Sequence, residues 1–94
     1  MQVATLQLNL FLRQAQCLKD KRRVIKSFKD KVRNRFNVSV AEIDGHDRIQ
    51  TAVLGIAAVG NEKRHLQSTL DHIINFAGSL PGVELAGCEQ DIFY

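Results

Sequence analysis

Only four residues, 45–48, separate two stretches that read as β-strands, 37–44 and 49–60. A parallel pair needs a crossover of about a dozen residues or more, so these two strands can only form an antiparallel hairpin. The first of them, NVSVAEID, is rich in β-branched residues and runs into Gly45, a residue suited to a tight turn. The second is apolar on both parities, with Ala52, Leu54, Ile56 and Ala58 on one side and Val53, Ala57 and Val59 on the other. Strands of that kind are usually covered on both faces.

The flanking segments repeat one plan on either side of the hairpin. In the stretch 2–12 every even position from 4 on, Ala4, Leu6, Leu8, Leu10 and Leu12, is apolar, the period of a strand with one buried face. Residues 18–36 then take a helical spacing: Leu18, Val24, Ile25, Phe28, Val32 and Phe36 fall on one side. Cys17 holds the cap position, and Asp20 places a negative charge at the helix's positive end. After the hairpin, Asn61 is the expected cap of a second helix with Leu66, Leu70, Ile73 and Ala77 at spacings of four, three and four, ended by Gly78 and Pro81. Residues 83–93 begin with alternation at Val83 and Leu85, and the apolar parity changes near Gly87, where a bulge is expected. The order strand, helix, strand, strand, helix, strand predicts an α+β, ferredoxin-like split βαβ fold (βαββαβ): a four-stranded antiparallel sheet with both helices on one face. The hairpin disfavours a three-layer parallel sheet. The 94 residues are expected to form a single domain, 1–94, with 45% hydrophobic residues and one Pro placing it among folded rather than disordered chains.

Charge is distributed very unevenly. Residues 18–36 hold nine Lys and Arg against two Asp, a net +7, while the other residues hold four against eight Asp and Glu, a net −4. Arg22, Lys26, Lys29 and Arg33 form a stripe on the first helix, bordered by Lys19 and Arg23. Cations so close repel one another unless counterions or a polyanion neutralise them, which makes the stripe a candidate track for a phosphate backbone. The same helix is also consistent with a face simply solvated by Lys and Arg. The longest mainly apolar run is far short of the roughly 20 residues that cross a membrane, and residues 1–11 lack the basic-then-apolar pattern of a signal peptide. The expectation is therefore a soluble, cytoplasmic protein without a membrane partner.

At the first helix and the hairpin the chain resembles the YlxP-like small bacterial proteins, a family built on a domain of unknown function. The resemblance spans nearly the whole chain and is carried by LKDKRRVIKS at 18–27, RNRFNVSVAEID at 33–44, and Asp47 with Gln50 after the turn. It implies a ferredoxin-like fold, a bacterial cytoplasmic setting and genes often placed beside those for transcription and translation factors. It implies no activity and no catalytic residues. Two departures stand out: Cys17 where the family usually has Ser, and Ile49 where it often has Trp.

Other candidate sites have plainer readings. Asp44, His46 and Asp47 could ligate a metal or act as acid and base, but Asp beside Gly is ordinary turn chemistry, and no distant fourth ligand stands out. His65 and His72 lie seven apart rather than the three or four that usually brings two ligands to one metal. Cys17 and Cys88 lack CxxC spacing and read as reduced thiols. With no P-loop, GxGxxG or nucleophile and base pairing, neither an enzyme nor a cofactor is expected. The favoured function is a non-enzymatic RNA- or ribosome-associated protein whose phosphate-contacting residues are Lys19, Arg22, Arg23, Lys26, Lys29 and Arg33. Base stacking on the sheet is not expected, since the first strand's open side offers one aromatic, Phe11. The alternative is a dimeric regulatory or assembly module with no nucleic-acid partner. A homodimer through the open sheet face or its edges is expected in either case, with Val53, Ala57 and Val59 at the interface.

Overall fold

The computed structural model describes residues 1–93. Six elements follow in order: β1 (Gln2–Leu12), α1 (Leu18–Arg35), β2 (Ser39–Asp44), β3 (Thr51–Gly60), α2 (Lys63–Ser79) and β4 (Val83–Phe93). The sheet order is β2-β3-β1-β4 with every neighbouring pair antiparallel. This is the ferredoxin-like α+β arrangement, two crossovers flanking one hairpin.

The period-two pattern of β1 decides which face is which. Ala4, Leu6, Leu8, Leu10 and Leu12 are buried, and their partners on β3, Ala58, Ile56, Leu54 and Ala52, are buried beside them. Against this surface α1 lays Ile25, Phe28 and Val32, and α2 lays Leu66, Leu70, Ile73 and Ala77, all in one cluster. The helices therefore share one face of the sheet, and the other face is open. Fully burying one such Leu or Ile contributes about 1.5–3 kcal/mol, so each helix is held chiefly by four buried positions rather than by its own propensity. Phe28 and Phe76 stack with centroids 5.9 Å apart and join the two helices.

Several boundaries shift by one or two residues. The first helix ends at Arg35 with Phe36 as an extended C-cap, because the β-branched residues beyond it favour a strand. Glu62 rather than Asn61 is the N-cap of α2, without a side-chain capping bond. The third strand begins at Thr51, two residues later than its apolar run, because Ile49 and Gln50 belong to the turn. The bulge expected near Gly87 is present: Asn9 pairs with Gly87 and Leu10 with Leu85, leaving Ala86 unpaired. A second irregularity lies between β2 and β3, where Glu42 pairs with Leu54 and Asp44 with Val53, so that Ile43 is the extra residue. Ile43 leans over Gly55, where a Cβ would come 2.9 Å from its Cγ2, so any larger residue at 55 would push Ile43 aside.

Candidate nucleic-acid interface

The burial of α1 fixes where its cations point. Lys21, Ile25, Phe28 and Val32 are its buried residues and mark the line facing the sheet. At about 100° per residue, Arg22, Lys26, Lys29 and Arg33 run along one flank, roughly a quarter turn from that line, while Lys19 and Arg23 point outward. Two contacts show which flank this is. Arg33 Nη2 donates to the Val40 carbonyl oxygen at 2.8 Å, so the stripe lies beside the edge strand β2. Arg35, on the opposite flank, sits 4.5 Å from the ring centroid of Phe76 on α2. The stripe thus lines the outer margin of the molecule, next to β2, over about 20 Å of helix.

Lys19, Arg22, Arg23 and Lys26 are exposed and Lys29 is half-buried. Among the described residues the ion pairs are Arg13 with Glu84 and Lys21 with Glu42, so none of these five cations is paired with a carboxylate. Five neighbouring positive groups without protein partners leave their neutralisation to solutes. Arg33 is different, since one arm of its guanidinium already holds the β2 backbone. Asp20, the nearest acid to the first turn, accepts the Gln16 backbone N–H at 3.2 Å and so caps the approach to the helix.

The residue that sequence reasoning passed over is Lys21. It lies in the middle of the basic block yet is 1% exposed. Its Nζ donates to the Gly45 carbonyl oxygen at 2.6 Å and lies 2.8 Å from Glu42 Oε2. The Glu42 oxygen is at ion-pair distance but makes no hydrogen bond of good angle, so the attraction is Coulombic while the directional bond goes to Gly45. Gly45 adopts φ +72°, a conformation that other residues rarely take, and its carbonyl also accepts the Arg48 N–H at 3.0 Å. One ammonium therefore ties α1 to both the end of β2 and the hairpin turn. The signal was present in the spacing: Lys21 is four residues before Ile25 and seven before Phe28, and Glu42 shares the parity of the buried Val40.

The remaining candidates separate in space. In the hairpin turn, Asp44 Oδ1 accepts the Gly45 N–H at 2.7 Å, as turn chemistry predicts, and His46 and Asp47 are exposed. Among the described residues no three His, Cys, Asp or Glu side chains gather in a way that could hold a metal ion. Gln50 donates to the carbonyls of Arg13 and Ala15, stitching the hairpin to the loop before α1. His65 and His72 line a depression between α1 and α2, and His72 Nδ1 is 3.5 Å from Ser68 Oγ. Cys17, the N-cap of α1, and Cys88 are exposed free thiols. On the open sheet face Val53 is half-buried, while Ala57 and Val59 are exposed. Among the described residues two aromatics lie on that face, Phe11 and Phe93, and the strand register sets them eight residues apart, about 27 Å. That distance is too long for both to stack neighbouring bases.

No helix among the described residues is long and apolar enough to cross a membrane. A family described as "Protein of unknown function (DUF503)" matches residues 3–90. The chain is also similar to the "Uncharacterized protein YlxP" of Bacillus subtilis (strain 168), with 39% identity over 70 residues, 74% of this chain and 76% of that protein. The span 3–90 takes in both helices and all four strands but for the first residue of β1 and the last three of β4, and on it the chain belongs to the DUF503 family, proteins whose function is not known.

Proposed function

We propose that the protein is a non-enzymatic, cytoplasmic RNA-binding protein that attaches to the ribosome or a ribosomal precursor through phosphate contacts along the outer flank of α1. The observation that supports this is the set of five unpaired cations, Lys19, Arg22, Arg23, Lys26 and Lys29, on one side of a single helix, with Arg33 at its end beside β2. Lys and Arg at successive helical turns can follow a backbone without reading bases, which fits a sheet without closely spaced aromatics among its described residues. Engagement of about four phosphates gives a slope of log affinity against log salt near −3. Sedimentation with ribosomal subunits at ~50 mM salt is the test, since phosphate contacts are strongest at low salt. Failure to cosediment or to shift any RNA under those conditions refutes the reading.

A second reading, a homodimeric regulatory or assembly module, is favoured by the open sheet face, where Ile43, Val59 and Phe93 are 51%, 60% and 47% exposed. The dimer itself is compatible with RNA binding, because the basic flank and the open face lie on different sides of the sheet.

A further inference from the structure

We infer that the open sheet face joins two copies of this chain about a two-fold axis running along the strands, so that β4 of each copy lies over β2 of the other. The inference rests on the homodimeric reading and adds to it the orientation.

The face is unusual in its charge. In the strand register, the odd-numbered positions of 3–11, 39–43 and 51–59 point to the open side without a charged side chain, and the bulge at Ile43 adds Asp44, opposite Val53, as the one charge of these three strands on that side. An antiparallel sheet that faces water normally alternates apolar with polar and charged residues, so a surface spanning three strands with a single charge, at the end of β2, is suited to another protein rather than to solvent or a polyanion. Four strands about 4.8 Å apart and some ten residues long present roughly 600 Å² of face, and two such faces bury about 1,200 Å², the lower end of a specific interface. A flat surface whose charges are confined to its margins can pack against itself, which an isologous contact requires.

The fourth strand breaks the symmetry of the face. Glu84, Glu89 and Asp91 stand opposite Phe11, Gln7 and Thr5, and so lie on the open side along one margin. Packed sheets keep their strands within about 30° of each other, which leaves two simple two-fold arrangements. An axis across the strands would set β4 over β4 and oppose the two acidic margins, a repulsive contact. An axis along the strands sets β4 over β2. Asp91 and Ser39 are both in the row of Thr5 and Ala57, and Glu89 and Ala41 are both in the row of Gln7 and Gly55. Rotation about an axis along the strands keeps each row in place, so Asp91 meets the partner's uncharged Ser39 position and Glu89 the Ala41 position. The same rotation places Asp44, in the row of Val53 and Asn9, opposite Gly87, which has no side chain to oppose it.

Light scattering of the unmodified chain at ~100 μM should give a dimer, a concentration at which even a weak specific contact is populated. A monomer there overturns both the dimer and its orientation, and leaves the face for a different protein. Orientation is read separately, in a Cys17→Ser, Cys88→Ser background, by mixing a Ser39→Cys protein with an Asp91→Cys protein under mild oxidation. Both positions are exposed, and circular dichroism checks that the fold survives. A mixed disulfide dimer is expected. If the unmodified chain is dimeric but Asp91→Cys crosslinks to itself, or the mixture does not crosslink, the orientation is wrong and the dimer stands.

Discussion

The two helices have nearly the same length, 18 and 17 residues, and lie on the same side of the same sheet, yet they are held to it in different ways. Four apolar side chains, Leu66, Leu70, Ile73 and Ala77, anchor α2, as the spacing in the sequence implies. Three apolar side chains and a lysine anchor α1. A buried ammonium is costly to desolvate, and Lys21 is tolerated because Glu42 neutralises it and Gly45 accepts its hydrogen bond. The comparison teaches that a basic block is not one functional unit. Of its nine cations, Lys21 is structural, Arg33 and Arg35 have contacts within the fold, and those along the outer flank remain free for a partner.

The largest expected effect comes from breaking the α1 anchor. Lys21→Ala should lower stability by about 3–5 kcal/mol in urea unfolding, because it leaves Glu42 without its counter-charge and Gly45 without its donor. Replacing both members, Lys21→Met with Glu42→Leu, should recover most of that loss, which would show that the cost lies in the orphaned charge. In α2 the corresponding change, Leu70→Ala, should cost about 3 kcal/mol through the cavity it opens and leave no charge effect, so its loss should not vary with salt. A salt-dependent loss there would erase the distinction between the helices.

The outer surfaces sharpen the contrast in a different measurement. Charge reversal of Arg22 and Lys26 together should change stability by no more than about 0.5 kcal/mol while reducing the salt slope of RNA binding by about 2. The same treatment of Lys63 and Arg64 on α2 should leave binding unchanged in filter or gel-shift titrations. Arg33→Ala should cost about 1 kcal/mol, the net value of its bond to the Val40 carbonyl, and Arg35→Ala about 0.5–1 kcal/mol for its place over Phe76. If Arg22→Ala costs as much stability as Arg33→Ala, the free and engaged parts of the stripe are not distinct.

Much of the fold could be read directly, because period two in β1 and the short hairpin at Gly45 admit few topologies. The Ala86 bulge showed as a change of apolar parity, but the Ile43 irregularity did not, since β2 is too short to display a parity change. The charged stripe was legible as a stripe. Its division was not, because Lys21 and Arg33 differ from their neighbours only in what they face. Lys21 sat at a core spacing and Glu42 at a core parity; each looked like an exception until the two were brought together across 21 residues of chain.

The buried Lys21 also gives the protein a built-in reporter. The other lysines, at 19, 26, 29, 31 and 63, are exposed or half-exposed, so an amine-reactive acylating reagent should modify them quickly in the native protein. Acylation of Lys21 must wait until α1 lifts from the hairpin turn. Its rate, followed by peptide mass, therefore counts local openings of that corner, and a partner gripping α1 would slow the reaction without touching the residue itself.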